Sequence, residues 1–228
     1  MSGPGTVSQP SETARFSLFV ERHTMGFALT TNQAASFLTD QLTTGGTAPT
    51  ITDKKVLAQV RAGLFPSVGD GRQVRIDSDV LAAFARKTRY VQDPEEIDRE
   101  VFRVSVLERQ ERNGAVLDRA TGALLSELMG VDYTKPQDID GVEGVWELSE
   151  VNCERMIDTA CTLLATCKGY VHPDHVRSVI GWRRIEGSSR KYFDTTVARA
   201  NVRGVVGTGI WIDVPPGRES DFLVKGSR

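Results

Sequence analysis

Three cysteines and two histidines lie close together in the sequence, and both residue types bind transition metals. They are Cys153, Cys161, Cys167, His172 and His175, separated by 8, 6, 5 and 3 positions. Structural zinc sites usually begin with two cysteines only a few residues apart. No such pair is present, and Cys153 and Cys161 fall within one amphipathic helical pattern. We therefore expect buried thiols with no metal and no cofactor, and zinc binding is the alternative.

His172, Asp174 and His175 are also candidates for acid–base chemistry, because imidazole and carboxylate groups transfer protons in enzymes. The sequence contains neither a G-x-S-x-G nucleophile turn nor an H-E-x-x-H zinc-binding pair. We therefore expect a protein that is not an enzyme. An enzyme acting on nucleic acid, with Arg183 and Arg184 in its site, is the alternative hypothesis.

Cations form two further sets that bear on function. Residues 50–90 hold 8 Lys and Arg against 4 Asp and Glu, although the whole chain has a net charge of −2. The second set alternates with aromatic residues and comprises Arg183, Arg184, Arg190 and Lys191. Such a mixture binds nucleic acid strands or lines the edge of a half-buried sheet. The sequence leaves both interpretations open for this second set.

The first cationic set lies in a segment with clear helix and turn signals. The pattern predicts, in order, a helix, a loop, a helix, a two-stranded wing and a helix. The second helix runs from Asp53 to Ala62, with Thr52 as its N-cap and Gly63 after its end. Its predicted inward face carries Val56, Leu57 and Val60. The wing turns at Gly69-Asp70-Gly71. The first helix is capped by Thr30 or Thr31, and the third runs from Asp79 to Lys87 after a cap at Asp77 or Ser78.

Residues 28–89 resemble the excisionase-like and MerR-type winged helix-turn-helix family. The shared features are Leu29-Thr30-Thr31, Ala34-Ala35, Gly63, Pro66, Gly69 and Gly71, Arg72 and Arg75, and the third helix ending near Phe84. The loop between the first two helices is about ten residues longer than the family's short turn. The resemblance implies binding to double-stranded DNA, with the second helix in the major groove.

The resemblance also assigns roles to individual side chains. It implies that Thr52, Lys55 and Gln59 reach base edges and that Lys54 and Arg61 contact phosphates. Arg72, Gln73 and Arg75 of the wing would contact the backbone or the minor groove. This hypothesis requires Lys55 and Gln59 to point away from the rest of the chain.

The C-terminal part has the pattern of an α+β domain with a mostly antiparallel sheet. Strands are predicted at residues 100–110, 145–149, 175–185, 189–195 and 207–214, and helices at 119–130 and 151–167. The organisation we expect is a disordered leader at residues 1–14, a winged helix-turn-helix at 15–90 and the α+β domain at 91–228. Residues 15–25 form either a strand or a short helix.

The function that these features favour is sequence-specific DNA binding, as a transcriptional regulator or as a recombination or antitoxin-type factor. One small module binds too weakly for specificity, so we expect a homodimer or a cooperative array on DNA. The C-terminal domain would dimerise, bind a protein partner or add a second DNA contact. A protein-interaction scaffold is a further alternative. Charges interrupt every apolar run and the N-terminus lacks a signal-peptide pattern, so we expect a cytoplasmic protein without a membrane partner.

Overall fold

The fold was analysed in a computed structural model that describes residues 26–68, 73–198, 207–214 and 219–224. The expected leader, the element expected at residues 15–25, and the wing tip with Arg72 lie outside the described residues. Within the described part the chain is a mixed α+β protein with five α-helices and mostly antiparallel strands. The predicted fold class is confirmed at this level.

The N-terminal part folds in the predicted order of helices. We refer to residues 28–86 as the three-helix unit, which comprises β1 (Ala28–Thr30), α1 (Thr31–Leu42), α2 (Asp53–Arg61), β2 (Arg75–Asp77) and α3 (Ser78–Arg86). Thr30 caps α1 in a reciprocal capping box with Gln33, and Asp77 caps α3. Strand β1 pairs antiparallel with β2, so the second predicted wing strand is held on one side by the start of the unit.

The long loop between α1 and α2 is attached to the C-terminal part of the chain. Asp213 accepts a hydrogen bond from the Thr50 backbone N–H at 2.9 Å and from the Tyr90 hydroxyl at 3.0 Å. Gln92 Nε2 donates to the Thr44 carbonyl at 3.1 Å. These hydrogen bonds come from residues outside the three-helix unit, and they hold the loop that leads into α2 in place.

A seven-stranded sheet forms the centre of the molecule. Its strands are β3 (Thr88–Val91), β4 (Val101–Ser105), β7 (Thr162–Cys167), β8 (Tyr170–Arg184), β9 (Lys191–Val197), β10 (Gly209–Ile212) and β11 (Ser220–Val224). The order is β11-β4-β7-β8-β10-β3, and β9 pairs with β8. The β4–β7 and β10–β3 pairs are parallel, and the others are antiparallel.

Smaller elements surround this sheet. A hairpin consists of β5 (Gln110–Leu117) and β6 (Leu124–Met129), and the two remaining helices are α4 (Asp140–Glu143) and α5 (Glu150–Asp158). A short 3-10 helix spans Pro94–Glu96. Strands predicted at residues 175–185, 189–195 and 207–214 are confirmed as β8, β9 and β10, and the strand predicted at 100–110 is confirmed only over β4, which ends at Ser105. The strand predicted at 145–149 is wrong, since only an isolated bridge between Trp146 and Lys191 forms there.

The helix predicted at residues 119–130 is wrong, because this segment is the turn and second strand of the β5–β6 hairpin. The Asp118 carboxylate accepts hydrogen bonds from the backbone N–H groups of Ala120 and Thr121, at 2.7 and 3.2 Å. An aspartate that binds the backbone ahead of it in this way closes a turn. Gly122 then takes a φ of +69°, which a helix does not allow.

The helix predicted at residues 151–167 is correct only in its first half. Helix α5 ends at Asp158, and Ala160 takes a φ of +50°. Cys161 N–H then donates to the Met156 carbonyl at 2.8 Å, which closes the helix end. All six residues of β7 are buried, as expected for a strand covered on both faces. Cys153 and Cys161 therefore do not share a helix.

The three-helix unit and the sheet share one hydrophobic core. The domain boundary expected after residue 90 falls inside β3, a strand of the large sheet. A single buried cluster contains Leu38 of α1, Val56 of α2 and Leu81 of α3 together with Phe102 and Trp211 of the sheet. Among the described residues, no helix is long and apolar enough to cross a membrane.

Candidate functional site

Helix α2 carries most of the predicted DNA-contacting residues, and both of its ends are capped. The Thr52 side chain accepts a hydrogen bond from the Lys55 backbone N–H. At the other end, Leu64 N–H donates to the Gln59 carbonyl and Gly63 N–H to the Val60 carbonyl, both at 2.9 Å. This is the Schellman arrangement, and Gly63 supplies its left-handed residue with a φ of +80°. Local sequence therefore determines where α2 begins and ends.

The orientation of α2 about its own axis differs from the prediction. Val56 and Gln59 are completely buried, whereas Leu57 is only partly buried. Gln59 Nε2 donates to the Cys167 carbonyl of β7 at 3.2 Å. The prediction that Gln59 reads bases is therefore wrong in this structure, because its amide lies between the helix and the sheet.

Lys55 is also turned toward the protein. Its Nζ donates to the Thr50 carbonyl at 2.5 Å, and its side chain is half-buried. Burial lowers the pKa of Lys55, the Asp213 carboxylate partly offsets that shift, and Lys168 adds to it. The structure thus contradicts the requirement that Lys55 and Gln59 both point away from the chain. An ammonium engaged with the loop is poorly placed to read a base edge.

The remaining predicted contacts are on the outside of the three-helix unit. Thr52, Lys54, Arg61, Gln73 and Arg75 are all exposed. One guanidinium N–H group of Arg75 donates to the Ala28 carbonyl at 3.4 Å. The Val68 N–H donates to the Arg75 carbonyl at 2.8 Å, so the two predicted wing runs meet next to the undescribed tip.

The second cationic set is engaged with carboxylates and carbonyls. Arg183 pairs with both Asp194 oxygens at 3.0 and 2.8 Å, and Arg184 pairs with both Glu150 oxygens at 2.8 and 2.6 Å. Lys191 is 7% exposed and its Nζ donates to the Ser189 carbonyl. Paired charges attract phosphate weakly because their fields largely cancel. This pairing removes most of the excess positive charge on which the predicted second nucleic-acid surface depended.

Trp182, an aromatic residue next to these cations in the sequence, also has its polar and π contacts satisfied within the protein. Trp182 Nε1 donates to Glu154 Oε1 at 2.9 Å, and the Arg184 guanidinium lies 5.5 Å from the indole centroid. The Lys191 ammonium lies 5.7 Å from the same centroid. This surface therefore corresponds to the edge of a half-buried sheet stabilised by ion pairs and cation–π contacts.

The cysteines and histidines do not converge on a metal site. Cys153, Cys161 and Cys167 are buried free thiols, and burial raises the pKa of each, to about 11 for Cys153 and about 12 for Cys167. No group of three or more potential metal ligands occurs among the described residues.

The histidines contact each other and a tyrosine instead. The His172 and His175 ring centroids are 5.5 Å apart, and Tyr133 packs against both. His175 is fully buried, and its Nε2 lies 2.9 Å from the Pro136 carbonyl, so that nitrogen carries the proton. Burial lowers the pKa of His175 to about 4. A buried imidazole donating to a carbonyl is not accessible as a general base, so the enzyme hypothesis gains no support from this cluster.

A cationic cleft lies beside the start of α2. Its volume is about 750 Å³, and its walls come from α2, the β5–β6 hairpin, the β7–β8 turn and the residue before β9. Its cations are Lys54, Lys55, Arg112, Lys168 and Arg190, and its carboxylates are Glu108 and Glu219. The apolar part of the wall includes Leu107, Met129, Val145 and Trp146.

Sequence reasoning missed this cleft because it assigned the wrong element types nearby. Arg112 belongs to a hairpin whose second strand was predicted to be helical, and Lys168 follows a strand that was also predicted to be helical. Lys168 and Gly169 have φ values of +54° and +105° and form the tight turn between β7 and β8. The Lys-Gly dipeptide between two apolar runs is the sequence signal that indicates this turn.

No match to this chain is found among known protein families, curated proteins or solved structures.

Proposed function

We propose that the protein binds double-stranded DNA through the three-helix unit, acting as a winged helix-turn-helix, and that phosphate contacts dominate the binding. The observation that carries this proposal is the exposed face of α2. Lys54 and Arg61 both lie on that face, and neither makes a salt bridge with any described residue. Free cations on a capped helix are suited to contact with a polyanion.

The spacing of these cations supports contact with a nucleic acid backbone. Arg61 lies seven positions after Lys54, about 10 Å further along the helix axis, and two helical turns return a side chain to nearly the same face. Gln73 and Arg75 are exposed on the wing side of the same unit. The positive balance of residues 50–90 favours the same partner.

In the binding mode that we propose, α2 does not read base edges along its whole length. Gln59 is buried and Lys55 is bonded to its own loop, so Thr52, at the N-cap of α2, is the one predicted base-contacting residue left for base edges. Few base contacts imply modest sequence preference for one copy. Specific recognition by a regulator or recombination factor would then require two copies on neighbouring half-sites.

Fluorescence anisotropy with a labelled 30-base-pair duplex tests this proposal, with titrations between 50 and 200 mM NaCl. The test variant is Lys54→Ala with Arg61→Ala. Each lost phosphate contact lowers the slope of log affinity against log salt by about 0.9, so the double variant should lose about 1.8 from that slope.

The control variant is Arg99→Ala with Arg119→Ala, two exposed arginines outside the three-helix unit. It should bind DNA with the slope of the wild type. Absence of binding by the wild type at 50 mM NaCl would refute the proposal. Equal slopes for the test variant and the wild type would refute the assigned surface.

A further inference from the structure

The cationic cleft is built by an unusually close approach of two backbone segments. A Cβ placed on Gly141 of α4 would lie 1.7 Å from the Gly130 carbonyl oxygen, and one placed on Gly130 would lie 2.3 Å from the Glu108 carbonyl oxygen. Only glycine fits at both positions. The contact holds the end of the β5–β6 hairpin against α4, and both glycines line the cleft. The cleft is therefore part of the packed fold and not a gap between loosely placed loops.

Among the described residues that line the cleft, positive charge exceeds negative charge, with five cations against two carboxylates. Lys54, Arg112 and Lys168 make no salt bridge with any residue in the described ranges. Arg190 reaches Glu219 at 3.5 Å and donates to the Val145 carbonyl at 3.3 Å. The cleft thus holds several cations without matching anions of its own.

Arg112 is the most informative of these cations. It is partly buried, its Nε donates to the Leu128 carbonyl at 2.7 Å, and its other guanidinium N–H groups have no acceptor in the described part of the chain. Burial and the nearby Arg190 lower the pKa of Arg112. Asp140 partly offsets this shift, and a bound anion would relieve the remaining repulsion between the two guanidinium groups.

The apolar part of the wall indicates more than a simple inorganic ion. Leu107 and Met129 line the cleft and are 51% and 40% exposed, which is high for apolar side chains of this size. Trp146 and Val145 extend the same wall. A volume of about 750 Å³ falls in the range of small-molecule sites, which combine an apolar wall with a few convergent polar groups.

We propose that this cleft binds a small organic phosphate: a phosphate group held by Arg112 and Lys168, which make no salt bridge with a described residue, and an apolar body packed on Leu107, Met129 and Trp146. A nucleotide and an alkyl or acyl phosphate share this chemistry. The site adjoins the exposed face of α2 through Lys54, but Arg61 does not line it and the proposed phosphate ligands lie outside the three-helix unit.

Isothermal titration calorimetry of the full chain tests the proposal with three probes: ATP, dodecyl phosphate below its micellar concentration, and inorganic pyrophosphate. We expect ATP or dodecyl phosphate to bind one to one with a Kd below 100 μM, and pyrophosphate to bind at least tenfold more weakly because it leaves the apolar wall uncovered. Tighter binding of ATP would indicate a nucleotide as the ligand class, and tighter binding of dodecyl phosphate would indicate an alkyl or acyl phosphate. Pyrophosphate binding as tightly as both organic phosphates would overturn the role of the apolar wall.

Two variants locate the binding within the cleft. Arg112→Gln removes the partly buried charge, and Lys168→Asn removes an exposed charge while keeping a residue type that tolerates positive φ. Each should weaken binding of the organic phosphate at least fivefold, whereas Arg99→Gln with Arg119→Gln should leave it unchanged. If Arg112→Gln fails to fold by circular dichroism, Lys168→Asn decides the outcome. No binding of either organic phosphate below 1 mM, or full affinity in Lys168→Asn, would overturn the proposal.

Discussion

At the scale of single residues, Gln59 connects the helix expected to read DNA to the central sheet. Its side chain is completely buried and its amide donates to Cys167, 108 residues further along the chain. A glutamine on a recognition helix and a glutamine that anchors a helix differ in one measurable respect. Removing the first changes DNA affinity and leaves stability unchanged, whereas removing the second lowers stability.

We therefore expect Gln59→Ala to lower the free energy of unfolding by about 1–3 kcal/mol, because it removes a buried hydrogen bond and leaves a cavity. Urea unfolding followed by circular dichroism measures this change. Gln73→Ala, at an exposed glutamine of the same unit, should change stability by less than about 0.5 kcal/mol. Equal stability of Gln59→Ala and the wild type would contradict the burial of this residue.

A second residue-scale prediction concerns His175, whose pKa is lowered from 6.5 to about 4 by burial. In the unfolded chain His175 takes up a proton below about pH 6.5, whereas in the folded chain it stays neutral until about pH 4. Protons therefore favour the unfolded state within this window, and stability falls as the pH falls through it. The full effect is roughly 3 kcal/mol, since one pKa unit corresponds to about 1.4 kcal/mol.

His175→Gln removes this titration, so its stability should fall less than that of the wild type between pH 6.5 and pH 4. Urea unfolding at half-unit pH steps gives both profiles, and the carboxylate contribution common to them cancels in the difference. His172→Gln is the matched control, because the His172 side chain keeps 23% of its surface exposed and should alter the profile less. Parallel profiles for the wild type and His175→Gln would be inconsistent with a buried neutral imidazole.

At the scale of elements, the contact between Gly130 and Gly141 determines how the β5–β6 hairpin meets α4. A methyl group on Gly141 would overlap the Gly130 carbonyl, and backbone atoms cannot move aside as a flexible side chain can. The hairpin supplies Arg112 and Met129 to the cleft, so its position decides whether the cleft exists.

Gly141→Ala should therefore lower the free energy of unfolding by about 3 kcal/mol or more, at the upper end of the range for overpacking. Gly114→Ala on the same hairpin is the control, because a Cβ there has no neighbour within 4 Å and only its φ of +109° is unfavourable. That change should cost about 1 kcal/mol. Similar losses in urea unfolding of the two variants would argue against the close contact.

Helix α5 illustrates why some elements were assigned wrongly from sequence. The apolar spacing of Met156 and Ile157 continues smoothly into the run Leu163–Leu164, and short apolar runs fit a helix as well as a buried strand. Whether such a run forms a helix or a strand depends on the strands with which it can pair. Strand β7 lies between β4, which ends more than 50 residues before the end of α5, and β8, which follows β7 directly after the Lys168-Gly169 turn.

At the scale of the whole molecule, the shared core predicts one cooperative unfolding transition. Most of the described helical residues lie in α1, α2 and α3, whereas Trp146, Trp182 and Trp211 all lie in the C-terminal part. Circular dichroism at 222 nm therefore reports mainly on the three-helix unit, and tryptophan fluorescence reports on the sheet and its surroundings. We expect the two urea midpoints to coincide. Loss of the helical signal at a clearly lower urea concentration would mean that residues 28–86 form a separate domain.

The local chemistry of the sequence was sufficient for the start of α1, for both ends of α2 and α3 to within a residue, and for the strands β8, β9 and β10, whereas α1 runs on to Leu42 through residues expected to form a loop. Caps, glycine at helix ends and alternation of apolar residues act within a few positions, so each can be recognised in isolation. The positive balance of residues 50–90 and the absence of paired cysteines typical of zinc sites were likewise visible in the sequence alone.

Only the tertiary structure decided which charges and faces are available to a partner. The rotation of α2 depends on a carbonyl in β7, and the neutralisation of Arg184 depends on Glu150, 34 residues away. The cleft requires Lys54, Arg112 and Lys168 to meet from three separate segments. Such contacts are non-local, and periodicity along one segment contains no information about the group that will lie against it.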